Sequence, residues 1–454
     1  MAARFLIKLD HYNALDENRL ILSEQSLFPQ SLKNSNQLIS PWKWVPSVYF
    51  MEGLPFTIIV IVSSIMYKNL NISNADITFY TGLLYIPWMI KPLWSWFIEI
   101  YRTKKWWIYT TEFMLATSFV GVSLSLWSHN FFTYSLIFFW LCAFFSASHD
   151  IAVDGFYLIT LDDAKQAFFV GQQNLFYQLA KLFGSGLLVF ISGVLISQLG
   201  WGNIRFLWLL IMLFAGVFTA FIAIYHKLIL PIDHKVSNST SINELKTIIK
   251  EFFLLENIWP IILFVMTFRI GENQLLKIVP LFVLDSTNNG GLGLNNTFIG
   301  LSNVFVLIAM IVAGVLGGMT IYRFGLKKCI WWMFLLVNIP HFIYVYLAYL
   351  KPQSELLILS LQVIENFATT YSLSAYAVIT FMLVKNSRYK TTHFAFITAF
   401  KMAGIMLPSM FSGTIQSKLG YPHFFVFVVL TMLPCLFIIP FLKIDNNYGK
   451  KVII

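Results

Sequence analysis

Cys142, Ser146, Asp150 and Asp154 recur every fourth residue through an apolar stretch, which puts two carboxylates on one face of a helix. Asn174, Tyr177, Gln178 and Lys181 form a second polar stripe, and Arg269, Asn273 and Lys277 a third, with Glu272 beside it. Glu365, Thr369 and Ser372 make a fourth, and Glu52 and Lys401 stand in further apolar runs. An ionisable group held mid-bilayer costs about 2.5 to 3.5 kcal/mol on insertion scales, so these residues are candidates for a solute and proton pathway. The chemistry they suggest is proton uptake and release by carboxylates, and hydrogen bonding of a polar solute by the amide and lysine stripes. A structural alternative pairs Asp150 with Lys181 and Glu365 with Lys401 as ion locks between helices. Catalysis is not indicated: His149 adjoins Asp150, but neighbouring helical residues point about 100° apart and spacing fixes no nucleophile.

The elements that must carry these residues are membrane spans. Hydrophobic residues make up 58% of the chain and charged ones 11%, a surface suited to lipid rather than water. Apolar stretches long enough to cross a bilayer fall at 45–67, 78–98, 107–127, 132–159, 168–196 and 204–228, then at 258–284, 298–321, 330–350, 356–384, 392–416 and 423–442. They are numbered here as spans 1 to 12. Residues 1–43 lack the pattern of a secretory signal and read as a cytoplasmic tail, as does 443–454. Lys and Arg concentrate on the side that holds both termini, which places that side in the cytoplasm and accounts for the net charge of +10 without nucleic acid. Cys142, Cys329 and Cys435 form no metal-ligand spacing, so neither a metal nor a cofactor is expected. Trp42, Trp44, Trp106 and Trp107 read as interfacial anchors, and His341 and His423 as isolated histidines with local partners.

The chain repeats itself. Lys181–Trp201 aligns without a gap to Lys401–Tyr421, the same register brings Glu52 onto Glu272, and Thr78, Phe79 and Gly82 match Thr297, Phe298 and Gly300 within two residues. Two six-helix repeats, 44–228 and 258–442, joined by a cytoplasmic loop at 229–257, describe an all-α membrane protein of twelve transmembrane helices with the major facilitator fold. In such a fold the solute site lies between the repeats near the bilayer midplane. The charged turn after span 8, GGMTIYRFGLKK with Arg323 and Lys327, resembles the gating motif of major facilitators. The turn after span 2 keeps Glu99, Arg102, Lys104 and Lys105 without its glycines.

More specific motifs follow. Ser146-Ala147-Ser148-His149-Asp150-Ile151-Ala152-Val153-Asp154-Gly155 resembles the S-A-S-Q-D-I-x-x-D-A signature of AmpG-type muropeptide permeases and the related acetyl-CoA transporters. Tyr49–Pro55 resembles their Y-F-x-x-G-L-P, Lys91–Ser95 their K-F-L-W-S-P, Gly271-Glu272 their G-D and Glu365-Asn366 their E-N. His149 replaces the usual glutamine, Lys181 stands where arginine is common, and the residues after Asn366 lack the glycine-rich run. The resemblance implies a proton-coupled importer of 1,6-anhydro-muropeptides in a bacterial inner membrane, with Glu52, Asp150, Asp154, Lys181, Glu272 and Glu365 lining the pathway, and the chain is expected to act as a monomer. An anionic cargo such as acetyl-CoA, countered by Lys181, Arg269, Lys277 and Lys401, and a transporter-shaped sensor without flux are the competing readings.

Overall fold

The structure is a computed structural model that describes residues 39–161, 163–197, 200, 202–233, 242–384, 387, 390–446 and 448–450. Residues 1–38 of the expected tail, 234–241 of the middle loop and 451–454 lie outside the described residues. Throughout the described chain the regular elements are helices.

Local sequence sets where several helices begin. Ser73, Thr103, Asn203 and Asn295 each accept, through the side-chain oxygen, the backbone N–H three residues on. Each cap satisfies an N–H that the first helical turn leaves open and contributes about 1 kcal/mol. Among the described residues, eight helices are long and apolar enough to cross a membrane by length and composition. Span 2 is divided into Asn74–Leu83, Ile86–Ile90 and Pro92–Ile100, and span 7 into Ile258–Thr267 and Ile270–Leu284. Spans 11 and 12 differ from expectation in a simple way. They run together as Lys390–Leu430, bent at Gly420, whose φ of 72° leaves the helical region that any other residue would prefer, with Pro422 just beyond.

Two turns of π-helix, Ile58–Val62 in span 1 and Leu182–Leu188 in span 5, widen the backbone. Such turns mark functional positions because the wider turn offers carbonyls to outside donors. Both do so here: Val60 O accepts from Lys277 Nζ at 2.7 Å and Ser185 O from Asn303 Nδ2 at 2.9 Å. In each case a side chain from the second half of the sequence reaches the first.

Among the described residues, the two halves of the sequence meet closely at one end. There Asn74–Leu83 packs on span 11, and Leu182–Leu188 with Val189–Ser197 packs on span 8. Glycine permits the approach: a methyl group on Gly193 would overlap Thr297, and one on Gly413 would overlap Asn74 and Thr78. Gly193 and Gly413 are repeat-equivalent in sequence, as are Thr78 and Thr297, so equivalent contacts form twice. Hydrogen bonds close the same end. Lys68 Nζ lies 2.6 Å from Asp285 Oδ1, and Asp285 Oδ2 accepts from Tyr421 Oη at 2.5 Å and from Asn74 Nδ2 at 3.2 Å. Asn296 Nδ2 donates to Ser192 Oγ at 2.9 Å.

Apolar packing follows the same division. One cluster joins Ile65, Leu115 and Leu207 to Leu275, Phe298 and Phe425, and so crosses between the halves. At the other end the core splits into a cluster around Trp44, Ile108 and Phe156, and a separate one around Phe264, Met333 and Ile379. Exposure along span 4 tracks the split: Cys142 is 0% exposed, Ser146 1% and Asp150 8%, and Asp154 is open.

Opening of the closed end can be read at Ser192, a fully buried residue whose replacement by cysteine nearly preserves shape; the three native cysteines are buried. Ser192→Cys in purified protein should react slowly with a maleimide. Adding Gly413→Val should raise that rate about tenfold, the effect of roughly 1.4 kcal/mol against closure. An unchanged rate would show that the glycine contact does not hold the end shut.

Candidate functional site

Span 4 carries its two carboxylates where spans 1, 2 and 5 converge. Asp150 Oδ2 accepts from Trp88 Nε1 at 2.8 Å, while Oδ1 is buried with no hydrogen-bond partner. Glu52 stands within electrostatic range of Asp150 and Asp154, and its Oε2 is likewise buried and unbonded. The positive charge acting on all three carboxylates is Lys91. Gly53 lets span 1 approach span 5, since a Cβ there would stand 2.8 Å from Tyr177 O. That contact brings Tyr177 within electrostatic range of Glu52 and Asp150. Farther along span 5, Asn174 is exposed and Gln178 Oε1 is buried without a bond.

Span 7 breaks at Arg269, where φ is −112° and ψ 17°. The break turns the guanidinium back onto Glu272 as a two-point pair, Nε to Oε2 at 2.7 Å and Nη2 to Oε1 at 2.6 Å. Arg269 also lies 5.8 Å from the Tyr376 ring centre, and Lys401 Nζ lies 4.8 Å from the same ring while donating to Thr380 Oγ1 at 3.1 Å. Lys181 reaches across from span 5 into the field of Arg269 and Glu272. Lys181 and Lys401 therefore both lie within electrostatic range of Arg269, and Lys181 also of Glu272.

This arrangement corrects the ion-lock alternative. Among the described residues, Asp150 forms no ion pair with Lys181 and Glu365 none with Lys401. Glu365 instead has His341 Nδ1 3.3 Å from its Oε1, although both ring nitrogens of that buried histidine are without a hydrogen-bond partner. The hydrogen bonds to Glu365 come from Tyr344 Oη, Asn366 Nδ2 and Thr369 Oγ1, at 3.3, 2.9 and 3.1 Å. A cavity of about 130 Å³ opens between Glu272 and Glu365, with Asn303 and Gln362 on its wall. Lys277, expected beside an anionic cargo, is 2% exposed and engaged in the contact between halves: besides Val60 O, it donates to Thr81 Oγ1 at 2.9 Å and Ser64 Oγ at 3.3 Å.

The charged turns are braced from behind. Asp233, just past span 6, accepts from the backbone N–H groups of Lys104 and Lys105 at 2.5 and 3.2 Å, at the start of span 3. Just past span 12, Tyr448 O accepts from Leu326 N at 3.0 Å, at the start of span 9. Arg102 stacks near Tyr101 and Trp106, with its Cζ 5.6 and 6.0 Å from their ring centres. Arg323 lies over Phe324 at 5.3 Å, and both Arg323 and Lys327 are exposed. Glu99 falls in the Pro92–Ile100 helix, and its side chain lies outside the described residues.

Sequence reasoning missed Lys91 and Trp88. Both were visible: Lys91 opens the K-P-L-W-S motif, and Trp88 precedes it by three residues on the same span. Neither falls into a polar stripe, because the breaks in span 2 rotate them away from simple helical periodicity.

Residues 53–349 match the BT1 family. A Rickettsia felis protein carrying the provisional name transporter AmpG 4 is 25% identical over 415 residues, covering 87% of this chain and 95% of that one. An uncharacterized Haemophilus influenzae protein is 24% identical over 429 residues, covering 89% and 95%. Among solved structures, an inward-facing, unoccupied bacterial homolog of the human lysosomal transporter Spinster aligns with a TM-score of 0.66 at 15% identity, covering 88% of this chain and 96% of that one. The inward-open xylose transporter XylE of E. coli aligns at 0.64 with 14% identity, covering 89% and 96%. At these identities the solved structures establish the fold, and the sequence relatives bear out the resemblance to AmpG-type permeases. The chain is a multi-pass membrane transporter of the major facilitator type, and it belongs to the BT1 family.

Proposed function

We propose that this transporter is a monomeric secondary importer of twelve transmembrane helices, arranged as two six-helix repeats at 44–228 and 258–442 that rock about a midplane site. The observation that carries this reading is the charged region between the halves, closed at the Lys68–Asp285 end and split at the other. With both termini cytoplasmic, as the Lys and Arg distribution suggests, the closed end faces the periplasm and the split faces the bacterial cytoplasm. The cargo is an anhydro-muropeptide or a related cell-wall solute, and the driving ion is the proton. Support for the cargo comes from the AmpG-type motifs and from the named Rickettsia relative. Support for the coupling comes from the buried, incompletely bonded carboxylates of Glu52 and Asp150 beside the exposed Asp154.

In this mechanism Asn174, Gln178 and the tyrosines hydrogen-bond the solute, and Glu52, Asp150, Asp154 and Glu365 exchange protons as the site alternates. Arg269 holds Glu272 in place, and the charged turns at Glu99, Arg102, Arg323 and Lys327 act in gating. A second reading keeps the fold and takes an anionic metabolite such as acetyl-CoA. It is favoured by the clustering of Lys181 and Lys401 within electrostatic range of Arg269, which is paired with Glu272.

Asp150→Asn and Glu365→Gln should each abolish uptake driven by an imposed pH gradient in vesicles that contain correctly folded protein. Full uptake by both variants would remove proton exchange from these carboxylates. Lys401→Gln tests whether this cation meets negative charge on the cargo. It should raise KM about tenfold for an anionic cargo, the effect of about 1.4 kcal/mol of lost charge attraction, and leave a neutral cargo little changed. Failure of acetyl-CoA to compete with uptake would dismiss the anionic reading.

A further inference from the structure

Behind the pathway, where spans 1, 3, 4 and 6 pack together, the first half buries an acid and two histidines that the mechanism above does not use. Glu112, His149 and His226 are all 0% exposed. Glu112 Oε1 lies 2.6 Å from His226 Nδ1 and 3.1 Å from His149 Nε2, and His226 Nε2 lies 2.8 Å from Ser47 Oγ.

Counting hydrogens gives the assignment that satisfies the contacts of this cluster. Ser47 donates its one hydroxyl hydrogen to Trp44 O at 3.1 Å, so it accepts from His226, and Nε2 of that ring carries a hydrogen. The contact between His226 Nδ1 and Glu112 Oε1 needs a second hydrogen, on either atom. The pair therefore holds one proton and is neutral overall, as a buried pair must be to avoid a large solvation cost. Glu112 then accepts from His149 Nε2, which leaves His149 Nδ1 with a bare lone pair. Nδ1 is buried and has no hydrogen-bond partner, nor has Glu112 Oε2.

The charged groups on the surrounding helices show what could act on that nitrogen. On its own helix, Asp150 and Asp154 both lie within electrostatic range of His149. Span 1 contributes Glu52, and span 2 contributes Lys91, through their coupling to those same carboxylates. On span 3, the Lys104 side chain lies against Gly155 of the helix that carries His149, and Lys105 Nζ donates to Leu230 O at 2.5 Å. On span 6, Lys227 lies over the Tyr109 ring at 5.9 Å.

We propose that Glu112, His226 and His149 form a second proton site behind the solute pathway, in which His149 Nδ1 gains and loses a proton in step with the charge on Asp150 and Asp154. The step moves one proton between the pathway and a ring nitrogen, and no other bond changes. Through its coupling to Asp150 the proposal deepens the proton-coupled reading given above and rests on it.

The test is nitrogen NMR of histidine-labelled protein in lipid nanodiscs, with His149→Gln and His226→Asn used to assign the two rings. On acidification His149 should gain its second ring proton while the His226–Glu112 proton stays in place. Asp150→Asn or Asp154→Asn removes a nearby negative charge and should lower the His149 midpoint by about one pH unit. A His149 ring that stays neutral throughout, or a midpoint that neither substitution moves, would overturn the proposal. Because the spectrum does not depend on transport, a titrating His149 in a protein without gradient-driven uptake would instead count against proton-coupled import.

Discussion

A charge placed in hydrocarbon must be neutralised, bonded or given access to water, and this requirement organises the molecule. Arg269 is met by Glu272 through two hydrogen bonds. Glu112 is met by two buried histidines. Among the described residues, Lys277 is in contact with no carboxylate and is held by neutral oxygens, one of them a carbonyl of the π-turn in span 1. Asp150 is only half satisfied, by Trp88, and its helix leads outward to the exposed Asp154. Asp150 thus keeps one oxygen unbonded a single helical turn from the exposed Asp154.

The same requirement explains why the two ends differ. Apolar surface alone does not hold helices together in lipid, so the closed end relies on close backbone approach at glycine and on polar bonds across the contact. Gly193 against Thr297 and Gly413 against Thr78 supply the approach twice, and Lys68, Asn74, Asp285 and Tyr421 supply the bonds. At the opposite end each half keeps its own apolar cluster. An assembly with one shared core and two separate ones can exchange which end is joined without unfolding either half.

Much of this was legible in the sequence. Period and length located the helical segments, and the four-residue series on span 4 placed Asp150 and Asp154 on one face, as the structure does. The alignment of Lys181–Trp201 with Lys401–Tyr421 contained Gly193 and Gly413, although nothing in it showed that their Cα atoms face Thr297 and Thr78. Pairing was the least legible. Asp150 with Lys181 looked natural because both lie on neighbouring stripes, yet Lys181 faces span 7. Glu112 was passed over since it interrupts span 3 alone, and its partners come from helices far away in sequence. Breaks such as that at Arg269, and the π-turns, change which way a side chain points, and no periodicity rule carries across them.

The central claim is that solute crosses between the halves at the expense of a proton gradient. It is tested most directly by the accumulation of radiolabelled anhydro-muropeptide in sealed vesicles containing this protein, with and without an imposed pH gradient, and with a proton ionophore as control. Accumulation that requires the gradient and collapses with the ionophore is the result predicted here. Folded protein that accumulates none, or as much without the gradient as with it, would contradict the account.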